Sequence, residues 1–481
     1  MTRVAGGTGP GRDARVAAEQ AAARARLGQV NRDILARAPE HDLVPSLDRI
    51  EALTQLMGDP QQTFRVVHVT GTNGKTSTTR MIERLLREHG LRTGRFTSPH
   101  LSDVRERISI DGEPLPADRF VQVYDEVLPY LDLVDGRLAG TGAPRLTYFE
   151  VLVAMAYAAF ADAPVDVAVV EVGMGGTWDA TNVADGEVAV VTPIAIDHER
   201  FLGRDVATIA GEKAGIIKPG AVAVLAEQEP EAAEVLLRRV VEVKATPAIE
   251  GLQFGVAARE VAVGGQLLTL AGLGGTYDDV FLPLFGPHQA RNAAVALAAV
   301  EVFLASGAAG SGPEPGAAFG GPAITLDADV VREAFADVTS PGRLEVVRRS
   351  PVVLVDAAHN PAGAQALAEA VPDAFTFTRL VGVVAILTDK DHYGIFEALE
   401  PILDEVVVTR SSSPRSTLPE DLFEVASEVF GEHRVRMAQR LDEAIDLAAT
   451  LAEEDGRPGS GVLITGSIPL VAEARVLLGA R

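Results

Sequence analysis

The sequence predicts an α/β protein: a first domain built on a P-loop-type, mostly parallel sheet, followed by a smaller Rossmann-like α/β domain. Three observations carry this prediction. From Phe64 to about Val300, β-branched runs alternate with Ala/Leu-rich helical stretches, the pattern of a parallel sheet covered by helices. The first run, Val66–Thr70, passes through a Gly-rich turn into an amphipathic segment. Beyond Ser340-Pro341-Gly342-Arg343 the alternation starts again.

Length supports two domains, since 481 residues exceed the roughly 250–300 that one core usually supports. A hydrophobic fraction of 47% with 23% charged residues excludes disorder of the whole chain. The net charge of −24 argues against non-specific nucleic-acid binding, which needs Lys and Arg to displace counterions. Zero cysteines exclude disulfides, thiolate metal sites and cysteine nucleophiles, and fit a reducing, cytoplasmic setting. No apolar run reaches membrane-spanning length; Val151–Ala161 is the longest candidate and too short. Residues 1–40 read as an N-terminal extension, with Met1–Arg12 a disordered leader and a surface helix after it.

In order, the strands expected in the first domain are Val66–Thr70, Val165–Val172, Val188–Ile194 and Ala221–Leu225. Helix Lys75–His89 follows the first and helix Tyr148–Ala161 precedes the second. Ala305–Pro322 is rich in Gly and Pro and reads as a flexible loop. The second unit is expected to hold strand Val352–Asp356, helix Ala362–Ala370, and strands near Leu380–Ile386, Glu405–Thr409 and Val462–Thr465. The domains are therefore set at 41–322 and 323–481, with the break somewhere in 306–342 and a cleft between them fit to shelter a reaction.

The turn Gly71-Thr72-Asn73-Gly74-Lys75-Thr76-Ser77 sits where a buried strand enters a helix. Backbone N–H groups there draw anions, Lys75 can reach terminal phosphates, and Thr76 can reach magnesium. The usual P-loop spacing would place Gly at position 69, which is Val69, so Gly71 and Gly74 carry the turn. The bland alternative is an ordinary Gly-rich turn with an exposed lysine.

Glu171 ends an apolar strand at the rim where open α/β sheets bind ligands. Asp197-His198 is read as a second strand end, so carboxylate and imidazole could converge on a metal; a helix cap or core residue is the alternative. Lys213 could neutralise phosphate, be solvated, or, if buried and neutral, take up carbon dioxide to form a carbamate ligand for a hard cation. Asp356 and His359 end the first strand of the second unit, and Arg343 follows a Pro-Gly turn from which it could clamp phosphate or carboxylate, or form a surface salt bridge.

Together these blocks resemble the folylpolyglutamate synthase/dihydrofolate synthase family of ATP-dependent ligases, related to the Mur ligases. The resemblance rests on G-T-N-G-K-T-S at 71–77, T-S-P-H-L at 97–101, E-V-G-M-G-G at 171–176, D-H at 197–198, E-K-A-G-I-I-K at 212–218, G-P-H-Q-A-R-N at 286–292, S-P-G-R-L-E at 340–345 and D-A-A-H-N-P at 356–361. It implies a Mur-ligase-like ATP-binding domain and a C-terminal glutamate-ligase domain. It implies further that Gly71–Ser77, Asn292, Arg343 and Asp356 bind ATP or the acyl-phosphate region. Thr76, Ser98, Glu171, His198 and a carbamylated Lys213 would hold magnesium, two ions in all. Lys75, Lys213, Arg343 and His359 would be catalytic. Ser98, Pro99, His100, Thr147, Phe149 and Glu150 would lie at the pterin substrate. Ala357 departs from the more frequent Gly and leaves less room at that turn.

The implied reaction joins L-glutamate to dihydropteroate, to folate, or to both, by a monomeric enzyme using ATP. Two alternatives stand beside it: a Mur-type ligase acting on a UDP-muropeptide, disfavoured because only 70 residues precede Gly71, and a P-loop ATPase or switch, in which Lys213 and Asp356–His359 would have no task.

Overall fold

The computed structural model describes residues 25–38, 45–140, 143–309, 324–454, 456 and 458–480. The leader Met1–Arg12 and most of the expected loop 305–322 lie outside them. Among the described residues no helix is long and apolar enough to cross a membrane.

Three sheets organise the described residues. The first has eight strands: β1 (Arg65–Thr70), β2 (Thr93–Phe96), β3 (Ile108–Ile110), β4 (Glu113–Pro114), β5 (Val167–Glu171), β6 (Val188–Val191), β7 (Val222–Leu225) and β8 (Thr246–Ile249), in the order β4-β3-β2-β5-β1-β6-β7-β8. Pairing is parallel from β2 to β8 and antiparallel only where β3 and β4 extend the edge. β1 lies between β5 and β6, and its Val66, Val67 and Val69 are buried, as a strand covered on both faces requires.

One face packs on helix Lys75–Glu88 and helix Pro287–Ala309, the other on helix Tyr148–Asp162. The last of these is apolar all round and correspondingly enclosed, with Thr147 and Glu150 capping its start reciprocally. The helical stretch 25–35, expected at the surface, instead buries Val30 and Ile34 in this second layer.

A three-stranded antiparallel sheet of β9 (Gly255–Ala262), β10 (Gly265–Ala271) and β11 (Thr276–Leu282) was not anticipated. β9 is mostly solvent-facing, so it lacks the apolar run that marks the central strands. The expected loop from Ala305 also begins too early, because the helix starting at Pro287 continues to Ala309. Alanine favours helix strongly enough to carry it past Gly307.

The third sheet runs β12-β13-β17-β14-β15-β16, with β12 (Glu345–Arg349), β13 (Val352–Val355), β14 (Arg379–Val384), β15 (Glu405–Val408), β16 (Val435–Met437) and β17 (Ser460–Thr465). All its pairings are parallel except that of β12 with β13. Helix Ala328–Ala336, which the expected boundary at 323 assigns to this unit, packs Val331, Ala334 and Phe335 into the core of the first sheet. We therefore place the passage between units near Ser340, just ahead of Leu344, whose side chain joins the core of the third sheet.

Candidate functional site

β1 runs into the turn Gly71–Gly74, and the helix begins at Lys75 with no side-chain cap. Its first N–H groups are thus left for a ligand. Two glycines are required here. Gly71 has φ +143° and a Cβ would lie 2.8 Å from the Thr192 carbonyl oxygen; Gly74 has φ +89° and a Cβ would lie 2.7 Å from Asn292 Oδ1.

The Lys75 Nζ donates to the carbonyls of Gly71 (3.1 Å) and Thr72 (3.0 Å), lying back across its own loop. Lys213, buried, donates from Nζ to the same Gly71 carbonyl at 2.7 Å. Burial, then repulsion by Lys75, pushes the Lys213 amine down to about 7, so an appreciable neutral fraction exists at physiological pH. Burial also lowers Lys75, opposed by Glu171 and Asp197.

Glu171 ends β5 beside this turn. Its Oε1 accepts from Thr76 Oγ1 (2.8 Å) and its Oε2 from the Ser98 amide (3.3 Å). Burial raises its pKa against the pull of Lys75. Asp197 and His198 do not end a strand as expected, since β6 stops at Val191 and the chain crosses residues 192–196 first. His198 adopts φ 53° at the start of a short helix, Glu199–Leu202, with a third of its side chain exposed. Even so, surrounding protein lowers it to about 3, leaving it neutral at pH 7.

The second unit meets the first across this point. The Asn360 amide donates to Asn73 Oδ1 (3.1 Å) and to Asp197 Oδ2 (3.0 Å), and Asn73 donates back to Asn360 Oδ1 (3.2 Å). Lys390 donates to Asp197 Oδ1. Burial raises the Asp197 pKa, but His198, His359 and Lys390 together hold it far below the ordinary carboxylate range. Both imidazoles are driven towards neutrality by burial, His359 to about 4. Lys390 and Asn360 were not foreseen as site residues; the signal for Lys390 was the D-K-D run at 389–391, shortly after a strand.

Asp356 spends its carboxylate on backbone, accepting from the amides of Leu344 (2.7 Å) and Ala358 (2.8 Å). Ala357 keeps ordinary backbone, is buried, and donates to the Gly342 carbonyl, so its methyl is accommodated. His359 directs Nδ1 to the Ala357 carbonyl (2.9 Å), which leaves Nε2 as the acceptor, 3.6 Å from Asp197. Asn292 donates to Gln289 (3.1 Å) beneath the phosphate turn. His100 accepts from Arg107 (2.9 Å), and Glu150, buried, pairs with Arg49 at 2.9 Å while capping its helix. Phe149 packs beside Phe96, their ring centroids 5.7 Å apart, and a Cβ on Gly173 would collide with it.

One cavity of about 1400 Å³ gathers all of these groups: Gly71–Ser77, Ser98–His100, Thr147, Phe149, Glu150, Glu171, His198, Lys213, Asn292, Arg343, Asp356 and His359. Among the described residues no cluster of three or more His, Cys, Asp or Glu side chains could hold a metal by itself. A cation here would need hydroxyl, modified-lysine or phosphate oxygens as well, the donor set of a hard ion.

Comparison with known proteins agrees with this geometry. The Mur ligase middle domain matches residues 131–300, and the Mur ligase glutamate ligase domain matches residues 342–468. A dihydrofolate synthase/folylpolyglutamate synthase of Mycobacterium tuberculosis is 50% identical over 473 residues, covering 95% of this chain and 94% of the relative. The solved M. tuberculosis folylpolyglutamate synthase complexed with ADP superposes with a TM-score of 0.87 at 49% identity, covering 95% of this chain and 99% of that one. An FPGS–AMPPCP–folate complex gives a TM-score of 0.78 at 30% identity over 94% of this chain and 99% of that one. With half its residues shared along nearly the whole length, and with nucleotide-bound relatives of the same fold, the chain belongs to the folylpolyglutamate synthase/dihydrofolate synthase family of the Mur ligases.

Proposed function

We propose that this protein joins L-glutamate to dihydropteroate, to (poly)glutamylated folate, or to both, through an acyl phosphate, releasing ADP and phosphate. The observation that carries the reading is the meeting of two strand ends from different sheets, Gly71–Ser77 and Asp356–His359, on one cavity. A relative solved with AMPPCP and folate together supports the substrate pair.

In this reading the substrate carboxylate attacks the γ-phosphorus of ATP and ADP leaves. The amine of glutamate then attacks the acyl carbon and phosphate leaves, carrying away the oxygen of the original acid. Loop amides and Lys75 hold the transferring phosphoryl group. Arg343 neutralises the acyl phosphate, and neutral His359 takes the amine proton at Nε2.

Thr76, Ser98, Glu171, His198 and Lys213 would hold two magnesium ions, with Lys213 as a carbamate. Its buried, partly neutral amine suits that modification, and the Thr76 hydroxyl bonded to Glu171, with the Ser98 amide on the same carboxylate, leaves oxygen donors that suit a hard cation. Magnesium, when bound, screens phosphate charge and orients the in-line transfer. A cytoplasmic monomer is part of the same reading.

The test is ADP release with L-glutamate and either dihydropteroate or a reduced folate. Glutamate-dependent release with at least one acceptor is expected. Release that ignores glutamate, or activity with neither acceptor, overturns the proposal.

A further inference from the structure

A small recess of about 30 Å³ opens beside the Gly71–Gly74 turn, lined by Arg80 and Glu106 together with Thr76, Pro99, Leu101 and Arg343, which also line the main cavity. It is thus a side chamber of that cavity, between the first turns of helix Lys75–Glu88 and the passage into the second unit.

Arg80 lies four residues after Thr76 and so on the same helix face. The arginines around it are committed: Arg84 pairs with Glu88 and Asp337, Arg87 with Glu83, and Arg95 with Glu83. Arg80 has no hydrogen bond or ion pair among the described residues, only longer-range interactions with Arg95, Glu106, Glu171 and Arg343. Its side chain keeps some exposure through the mouth of the recess, yet burial, with Arg95 adding repulsion, lowers it to about 10. It therefore stays charged at neutral pH.

The carboxylate nearest to hand is already occupied, since Glu106 accepts the amides of Leu101 (2.9 Å), Ser102 (3.0 Å) and Asp103 (2.9 Å). Among the described residues the Arg343 side chain bonds only the carbonyl of its neighbour Gly342, at 3.3 Å. Two guanidinium groups thus share a chamber in which, among the described residues, neither is hydrogen-bonded to a carboxylate. A guanidinium fork that opens on a recess without a bonded acceptor can take a carboxylate bidentately.

We propose that Arg80, with Arg343 at the mouth, binds a carboxylate of the amino-acid-bearing substrate, making Arg80 a specificity-determining residue. The inference rests on the function proposed above. The carboxylate comes either from incoming L-glutamate or from the glutamyl tail of a folate.

The test compares Arg80→Met and Arg80→Lys with the parent enzyme, measuring KM for ATP, L-glutamate, dihydropteroate and a reduced folate monoglutamate, alongside melting temperature. A roughly 10- to 100-fold rise in KM for a carboxylate-bearing substrate in Arg80→Met, with KM for ATP and the melting temperature held, supports the proposal. If KM for glutamate rises with both acceptors, the incoming amino acid is the source. If KM for the folate rises while dihydropteroate, which has no glutamyl tail, is spared, the tail is the source. Unchanged KM values, or equal losses for all substrates with a lowered melting temperature in both variants, overturn it and leave Arg80 a counter-charge to Glu171. A parent enzyme inactive with both acceptors rejects the underlying function, and this inference with it.

Discussion

Two strand-turn-helix corners face each other across the cavity, and they are built differently. At the first, β1 passes through Gly71–Gly74 into a helix whose N-terminus no side chain caps. At the second, β13 passes through Asp356–Asn360 into helix Pro361–Ala374, where Asp356 accepts two backbone amides and Asn360 caps Gly363 at 2.8 Å. The same local topology serves two ends. A corner with free amides is built to receive an anion, whereas a corner whose amides are already satisfied is built to hold side chains, here His359 and Asn360, in fixed positions.

The strongest way to break that contrast is Lys75→Ala. The receiving corner loses its cation, and ADP release should fall about 100- to 1000-fold with little change in melting temperature. Retained activity and ATP affinity would remove the first corner from the chemistry. Asp356→Ala strips an acceptor from two buried amides, so it should cost roughly 2–4 kcal/mol and speed hydrogen exchange at Leu344 and Ala358. A variant that keeps its stability and exchange pattern but loses nucleotide binding would reverse the roles of the two corners.

The strand behind the receiving corner offers a pH test. Burial, with Lys218 adding repulsion, drives His68 in β1 down to about 3, and its Nε2 sits 2.9 Å from Thr181 Oγ1. Below the ordinary histidine pKa the unfolded chain binds a proton that the folded one refuses. Stability should therefore fall on acidification through the window from about 6.5 towards 3, by up to about 1.4 kcal/mol per pH unit. His68→Gln should flatten that part of the urea-midpoint profile; an unchanged slope means another group is responsible. The smallest effect is expected far from both corners. Val263, fully exposed between β9 and β10, should tolerate Val263→Ser within about 0.5 kcal/mol, with activity unchanged.

Legibility followed burial. β1, β5, β13 and β17 are continuous apolar runs enclosed on both faces, and each was readable with ends off by a residue or two. β9 has little of its surface covered, so nothing forced an apolar pattern on it, and it was missed. Helix Ala328–Ala336 was not singled out from the sequence, and which core its apolar face enters is a question of partners that its own residues do not answer.

The site divides in the same way. The turn residues 71–77, Glu171 and the D-A-A-H-N-P run carried local signals because strand ends and tight turns constrain residue type within a few positions. The pairing of Asn73 with Asn360, 287 residues away, and of Asp197 with Lys390, 193 residues away, left no such trace. Residue type and spacing alone determined that this chain is α/β, that a Gly-rich turn opens the helix after β1, and that acidic and basic groups recur at or near strand ends. Only the tertiary structure decided that these corners converge, that Lys213 is buried against Gly71, and that Arg80 has no hydrogen-bonded partner among the described residues. Periodicity and turn chemistry are local properties of the chain, whereas burial, charge pairing and their pKa consequences belong to contacts that exist only once distant segments are packed together.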